Sequence, residues 1–401
     1  MRQLALAVQS ALRAVLRFRT GTLPCLASRP RPSNTDAWTC RSLRQWPTRM
    51  FRKPRDGREV VVSPVVPGVW SRLRATRANP PGLAAPKGPR RQTYAAAMQQ
   101  FEQLMRAAQQ IGPAARPLPL FYALSQAGRA VAAANADQPW LLEGHGLKLK
   151  DRGSALLERQ VHPDGGAGTS FRRVSESTGS AVLHDPVTIG ALCASLPDLA
   201  TVDELCGAHP RALAMSAIRK SSGSFITISH EVDVQVANLP AELPSLDDPP
   251  AALAEHLTHY PSAVGWERPD PFGIGPAEDG WGAYALLRWR VPDTMQSSNE
   301  ADRQARVAEV APPYRFRDSQ WCRPAVAPGT TLSPLMSWWA LLYALSMVAR
   351  YEPGPWAELL DLDSSQLAVP LEGLLEDALD SVPHLPLDAV RGVPLLLNRK
   401  L

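Results

Sequence analysis

Proline is the residue that most restricts how this chain can fold. It accounts for 39 of the 401 residues, about twice its usual share. Because proline lacks a backbone N–H and clashes inside a helix, it confines regular elements to short segments. Hydrophobic residues still make up 45% of the sequence. That is enough for the core of one large or two ordinary domains, and too much for a wholly disordered chain.

Positive charge is concentrated at one end of the sequence. Residues 1–92 contain 19 Lys or Arg against three acids, whereas the remainder contains 24 against 35. We therefore predict that residues 1–92 form a basic, largely disordered tail on an acidic body. Its first residues, Met1–Arg19, have the chemistry of an organellar transit peptide. What this tail does stays open. It could be an arm that binds nucleic-acid phosphates or an extension that never folds, and translation could also start at Met50, so that residues 1–49 are not made.

The cysteines and the apolar segments indicate the compartment. Five cysteines are an odd number and include no C-x-x-C pair, which favours free thiols in a reducing cytoplasm and gives no support for a zinc site. We therefore predict a cytoplasmic protein without a bound metal or cofactor. The stretch Leu332–Ala349 contains Pro334, ends at Arg350 and falls short of the roughly 20 apolar residues of a membrane span. It predicts a buried helix, and no membrane partner is expected.

Hydrophobic periodicity predicts an α+β fold. We expect a helical, bundle-like part built from N- and C-terminal helices around a mixed, partly β central region. The predicted parts are residues 93–150, 151–325 and 326–401, the last packing on the first. The predicted helices are one after an N-cap at Thr93 and others at Leu118–Ala134, Asp185–Ser195, Pro250–His259, Leu335–Ala349 and Leu371–Asp380. The predicted strands are Ser170–Val174, Ser224–His230, Glu231–Ala237 and Gly282–Val291.

Two predicted helices share a sequence. Phe121–Arg129 and Leu342–Arg350 both contain Tyr-Ala-Leu-Ser, with an arginine four positions after the serine. Chance in a chain rich in Ala and Leu explains this, or the two helices are related by pseudo-symmetry with their polar lines meeting. The residues of these lines are Tyr122, either Ser125 or Gln126, and Arg129 in the first helix, and Tyr343, Ser346 and Arg350 in the second.

The same segments resemble a known family. Leu118–Arg129 followed by Gly144-His-Gly-Leu147, together with Leu341–Trp356, is similar to the YaaC-like protein family. The likeness extends from about Trp70 to the C-terminus. The resemblance implies a bacterial, cytoplasmic protein and attaches no reaction to it.

Basic residues beside these helices suggest an anion site. A guanidinium on an apolar helix needs either a carboxylate partner or an anionic ligand. Arg129, Arg350, His145 and Lys148 could together form a phosphate-sized pocket, since glycines flanking His145 let the backbone approach a ligand. In the alternative, each arginine has an internal ion pair and His145 only stabilises a turn.

These residues favour a protein that binds a nucleotide, a nucleic acid or another phosphate-bearing partner. One alternative is a metal-independent ribonuclease similar to the HEPN helical ribonucleases, with His145 as the catalytic residue. Here, however, Arg129 and His145 lie much farther apart in the sequence than in that type. The other alternative is a scaffold that binds no ligand. Sequence motifs of P-loops, serine hydrolases and zinc proteases are absent, and the oligomeric state is not predicted.

Overall fold

The computed structural model describes residues 68–137, 139–217, 231–263, 273–277, 282–290, 314–316 and 319–391. These residues form helices and two antiparallel sheets, which confirms the α+β class. In chain order the helices are α1 (Val69–Ala78), α2 (Pro89–Gln109), α3 (Pro117–Asn135), α4 (Ser170–Ser177), α5 (Ile189–Ala194), α6 (Asp203–Cys206), α7 (Pro249–Leu257), α8 (Pro334–Tyr351), α9 (Pro353–Leu359), α10 (Ala368–Ser381) and α11 (Leu385–Arg391).

Prolines begin helices here instead of interrupting them. Helices α2, α3, α7, α8 and α9 each carry a proline in their first two positions. A proline at this position loses nothing, because the first amides of a helix have no partner inside it and the fixed φ already suits a helix. The high proline content is therefore compatible with helices as long as α2, α3 and α8.

Helices α2, α3 and α8 form the centre of the helical part. Helix α3 packs against both α2 and α8. Helix α8 is covered on almost every side, and its Trp338 and Trp339 are fully buried. The apolar segment Leu335–Ala349 predicted such a helix, and this prediction is confirmed.

A small three-stranded sheet lies against this helical core. It consists of β1 (Leu147–Lys150), β2 (Gln160–Pro163) and β3 (Val187–Thr188), in that order and antiparallel. Along β1 the leucines are buried and the lysines are exposed. The sheet therefore presents one face to the helices and the other to solvent.

A second sheet has its own core. It contains β4 (Leu213–Ala217), β5 (Glu231–Leu239), β6 (Ile274–Pro276), β7 (Ala283–Arg290), β8 (Tyr314–Phe316) and β9 (Ser319–Cys322), in the order β6-β7-β5-β4-β9-β8. All its pairings are antiparallel, and the buried side chains of β5 and β7 pack with α7 and Tyr260. The strands predicted around β5 and β7 are confirmed, whereas Ser224–His230 lies outside the described residues.

The predicted tail ends earlier than residue 92. Helix α1 and the start of α2 both lie inside the stretch that charge assigned to the tail, and Gly88, not Thr93, precedes α2. The physical reason is that arginines here have structural partners. Arg74 donates to the largely buried carboxylate of Glu102 at 3.0 Å, and this hydrogen bond lowers the pKa of Glu102.

The predicted strand Ser170–Val174 is also wrong, since this segment begins α4. Phe171, Val174 and Ser175 are buried while the residues between them are not. That spacing fits one face of a helix and not the alternation of a strand. None of the described helices is both long and apolar enough to cross a membrane.

Candidate functional site

An aromatic cluster joins the two helices that share a sequence. The ring of Phe121 on α3 lies 5.4 Å from the ring of Tyr343 on α8, and the ring of His145 lies 5.8 Å from that of Tyr343. The Tyr343 hydroxyl donates to the carbonyl of Leu147 at 2.8 Å. Burial raises the pKa of Tyr343 to about 12. Tyr343 therefore fastens the start of β1 to α8, and His145 stays exposed above it.

Arg129 and Arg350 are not brought together. Phe121 contacts Tyr343. Gly128, almost two turns farther along α3, faces Trp339, which precedes Tyr343 on α8. The two helices therefore run antiparallel. Each arginine lies on the C-terminal side of the Phe121–Tyr343 contact in its own helix. At 1.5 Å of rise per residue their Cα atoms lie roughly 22 Å apart along the axes. One small anion cannot contact both.

Neither arginine has a carboxylate partner in the described part of the chain. Arg129 is exposed and makes no hydrogen bond or ion pair there. Arg350 stacks on the ring of Tyr351, with the guanidinium carbon 4.9 Å from the ring centre. Two other, buried arginines do form ion pairs: Arg159 contacts Glu352 at 3.0 Å, and Arg116 contacts Glu376 at 3.5 Å.

The two polar lines do not meet across the helix contact. Tyr122 is 39% exposed, whereas Tyr343 is 4% exposed. The Ser346 hydroxyl donates to the carbonyl of Tyr343 within its own helix, while Ser125 is half-buried on α3. The shared sequence therefore faces different surroundings in its two copies.

The Gly144-His145-Gly146 loop is held by the start of α4. The amides of Ser170 and Phe171 donate to the carbonyls of Gly144 and His145, at 3.4 and 3.1 Å. Gly146 has φ of +80°, and a Cβ there would lie 2.6 Å from the Thr169 hydroxyl oxygen. Gly146 therefore permits both the turn and the close approach to Thr169. The imidazole of His145 stays on the exposed side of the loop.

A second glycine loop, residues 164–168, connects β2 to α4. Its sequence is Asp-Gly-Gly-Ala-Gly, and a Cβ on Gly165, at φ +84°, would lie 2.8 Å from Thr169. The carbonyl of Gly166 accepts both the amide and the hydroxyl of Thr169. Within the described residues, the amides of positions 165–168 donate no hydrogen bond to protein. Residues 165–167 are exposed and Gly168 is half-buried. The four N–H groups are therefore free to bind an anion or water.

The two loops border a cleft of about 240 Å³. Arg172 and His184 contribute positive or protonatable groups to its wall, and Asp164 contributes a negative one. Arg172 also contacts Glu176 at 2.9 Å, an exposed pair one turn along α4. The cleft thus offers donors from backbone, guanidinium and imidazole, which is the donor set that phosphate groups prefer.

The sequence interpretation missed this second loop. Its signal was a glycine-rich run between a strand and a Thr-Ser helix start. The signal was lost because the following residues were assigned to a strand. Of the predicted residues, His145 lies beside the cleft through Gly146, and Lys148 lies exposed on β1 opposite His162. Among the described residues, no three potential metal ligands lie together.

Residues 74–390 match the family model described as YaaC-like Protein. This match covers more than three quarters of the chain and agrees with the resemblance carried by the two helix motifs. No curated protein and no solved structure shows significant similarity to the chain.

Proposed function

The chain belongs to the YaaC-like protein family, and we propose from the geometry of its site that it binds a nucleotide or another small phosphate-bearing ligand in the cleft before α4. The observation that carries the proposal is the loop 164–168, in which the amides of residues 165–168 donate no hydrogen bond among the described residues and Asp164 and Gly165 line the cleft. A phosphate group can accept several hydrogen bonds from such a loop at little entropic cost, because the glycines already hold the required conformation.

Each side chain of the cleft has a role in the proposal. Arg172 supplies a planar pair of donors for phosphate oxygens, and it can do so while its other edge stays near Glu176. His184, which also lines the cleft, adds a further donor. Asp164 repels an anion that comes too close, so we expect it to face the sugar or a hydroxyl group of the ligand instead of the phosphate.

The residues that the sequence suggested for an anion site fall into two groups, those beside this cleft and those away from it. His145, Tyr122 and Tyr343 lie at the aromatic cluster beside it, and Lys148 follows on β1. Arg129 lies roughly 12 Å along α3 from Phe121, by its rise per residue, and therefore away from the His145 loop. We assign Arg129 no role in the cleft.

Calorimetric titration with inorganic phosphate and with nucleoside monophosphates tests the proposal. The variant Arg172→Ala should weaken phosphate binding about tenfold, as loss of one charged hydrogen bond predicts. Arg129→Ala is the matched control, because it removes an exposed guanidinium elsewhere and should leave binding unchanged. Equal losses in both variants, or no binding by the wild-type protein, would contradict the proposal.

The same titrations address the two alternatives. A ribonuclease similar to the HEPN type should degrade RNA, and His145→Ala should abolish this activity while leaving phosphate binding in place. A scaffold should bind none of the phosphate ligands. Either result would replace the binding function proposed for the cleft.

We also propose that the protein works in the cytoplasm. Cys193, Cys206 and Cys322 are buried free thiols, and burial raises the pKa of each. Protonated, buried thiols suit a reducing compartment. Fractionation of cells that make the protein would test this, and recovery outside the cytoplasm would contradict it.

A further inference from the structure

A basic strip, formed by the segment from Gly146 to Lys150, begins at the edge of the cleft. Lys148 and Lys150 are both exposed on the outer face of β1, about 7 Å apart as alternate residues of a strand. Gly146, which borders the cleft, directly precedes this strand. From Gly146 to Lys150 the strip extends for about 13 Å. Ligand phosphates beyond the cleft would therefore meet these two lysines next.

An exposed aromatic ring lies at the far end of the strip. Tyr351 is 52% exposed. The guanidinium carbons of Arg350 and Arg152 lie 4.9 and 5.9 Å from its ring centre. Arginine planes stacked on a tyrosine provide flat, cationic surfaces, on which a nucleic-acid base can also stack. This arrangement combines two forces, charge and stacking, at one place.

The strip stands out against the charge of the rest of the molecule. Beyond residue 92 the chain has 24 Lys or Arg against 35 Asp or Glu, so a run of cations is not expected from composition. Among the carboxylates nearby, Asp164 lies in the wall of the cleft, and Glu352 is already engaged by Arg159 at 3.0 Å and Arg152 at 3.8 Å. Asp151 is exposed at the turn after β1. Positive charge therefore dominates the strip.

We propose that the ligand is a short single-stranded oligonucleotide. Its terminal phosphate occupies the cleft, its next phosphates contact Lys148 and Lys150, and one of its bases stacks on the Tyr351 and Arg350 pair. This inference rests on the proposed function for the phosphate in the cleft. It adds the class of the ligand, because an acidic peptide has no flat bases to use the exposed ring.

The test compares ligands of increasing length. Affinities for 5′-phosphorylated RNA of one, two and four nucleotides, and for the tetranucleotide without its 5′-phosphate, are measured by calorimetry at two salt concentrations, with the full chain. For the wild-type protein we expect affinity to rise at least about tenfold from one to four nucleotides. We also expect a salt dependence that grows by about 0.7 in logarithmic slope for each additional phosphate.

Variants of the strip should remove this length dependence alone. Lys148→Ala with Lys150→Ala, and separately Tyr351→Ala, should lower tetranucleotide affinity about tenfold and leave the mononucleotide affinity unchanged. Lys87→Ala with Arg129→Ala is the control, because it removes two exposed charges away from the strip. All these residues are exposed, and thermal unfolding checks that each variant is folded. The long basic segment before residue 68 is the same in every variant, so it cannot produce the difference.

The outcomes separate the two proposals. A mononucleotide that binds while the strip variants match the control overturns the oligonucleotide ligand and preserves the phosphate cleft. A tetranucleotide that binds through the strip, with no contribution from its 5′-phosphate, overturns the cleft and preserves the strip. A tetraglutamate peptide that binds as tightly as the tetranucleotide overturns the assignment to nucleic acid. Binding of neither nucleotide overturns both proposals.

Discussion

The two Tyr-Ala-Leu-Ser helices differ in almost everything except their sequence. In α8 the tyrosine is buried and its hydroxyl donates to Leu147 at 2.8 Å. In α3 the corresponding Tyr122 is exposed beside Phe121. The helices contact each other antiparallel and through different positions of the repeated segment, so the repeat does not produce a symmetric pair. The shared sequence specifies a helix with a line of polar residues in both places. Tertiary packing then determines whether those residues are buried and make structural hydrogen bonds or stay exposed.

The largest difference between the helices should appear at the glycine of α3. A Cβ on Gly128 would lie 2.2 Å from two ring atoms of Trp339, which is 1% exposed. We expect Gly128→Ala to lower the free energy of unfolding by about 1–3 kcal/mol, because the buried ring has no space to move into. The counterpart Ala349→Gly on α8 should cost about 1 kcal/mol or less, from helix propensity alone. Urea unfolding measures both. Greater stability of Gly128→Ala would mean that the helices do not approach so closely.

A smaller difference should separate the two tyrosines. Tyr343→Phe removes the donor to a buried carbonyl, so we expect a loss of about 1–2 kcal/mol in the free energy of unfolding. Tyr122→Phe should change it by less than about 0.5 kcal/mol, since its hydroxyl is exposed. Chemical denaturation of the two variants gives the comparison directly. Equal effects would contradict the anchoring of β1 by Tyr343.

The smallest difference should be that between the two arginines. Arg350→Ala should cost about 0.5–1 kcal/mol of stability through the lost stacking on Tyr351. Arg129→Ala should have an effect near zero, since Arg129 makes no hydrogen bond or ion pair within the described residues. Thermal unfolding at low and high salt distinguishes them. A larger loss of stability in Arg129→Ala than in Arg350→Ala would mean that Arg129 makes a contact that the described residues do not show.

The long helices could be predicted from the sequence because their signals are local. Leu118–Ala134 was predicted for α3, and the helix extends from Pro117 to Asn135. The antiparallel order of α3 and α8 depends on contacts between segments about two hundred residues apart, and no local pattern encodes it. This explains why the approach of Arg129 to Arg350 could be suggested by the sequence but not tested by it.

The cleft was missed for a different reason. Phe171 and Val174 have high strand propensity, so the segment after the glycine loop was assigned to a strand. In the structure both side chains pack into the helical core, and their helical spacing prevails over propensity. With the helix unrecognised, residues 164–168 were not singled out as a candidate site.

Amide NMR of the glycine loop tests the central claim most directly. In a ¹⁵N-labelled sample of the full chain, inorganic phosphate should shift the signals of residues 165–168 downfield together and saturably, because their free N–H groups would gain an anionic acceptor. The amide of Gly354, on α9, should not respond. Unshifted loop signals, or saturable shifts centred on Arg129, would contradict a phosphate site in the cleft.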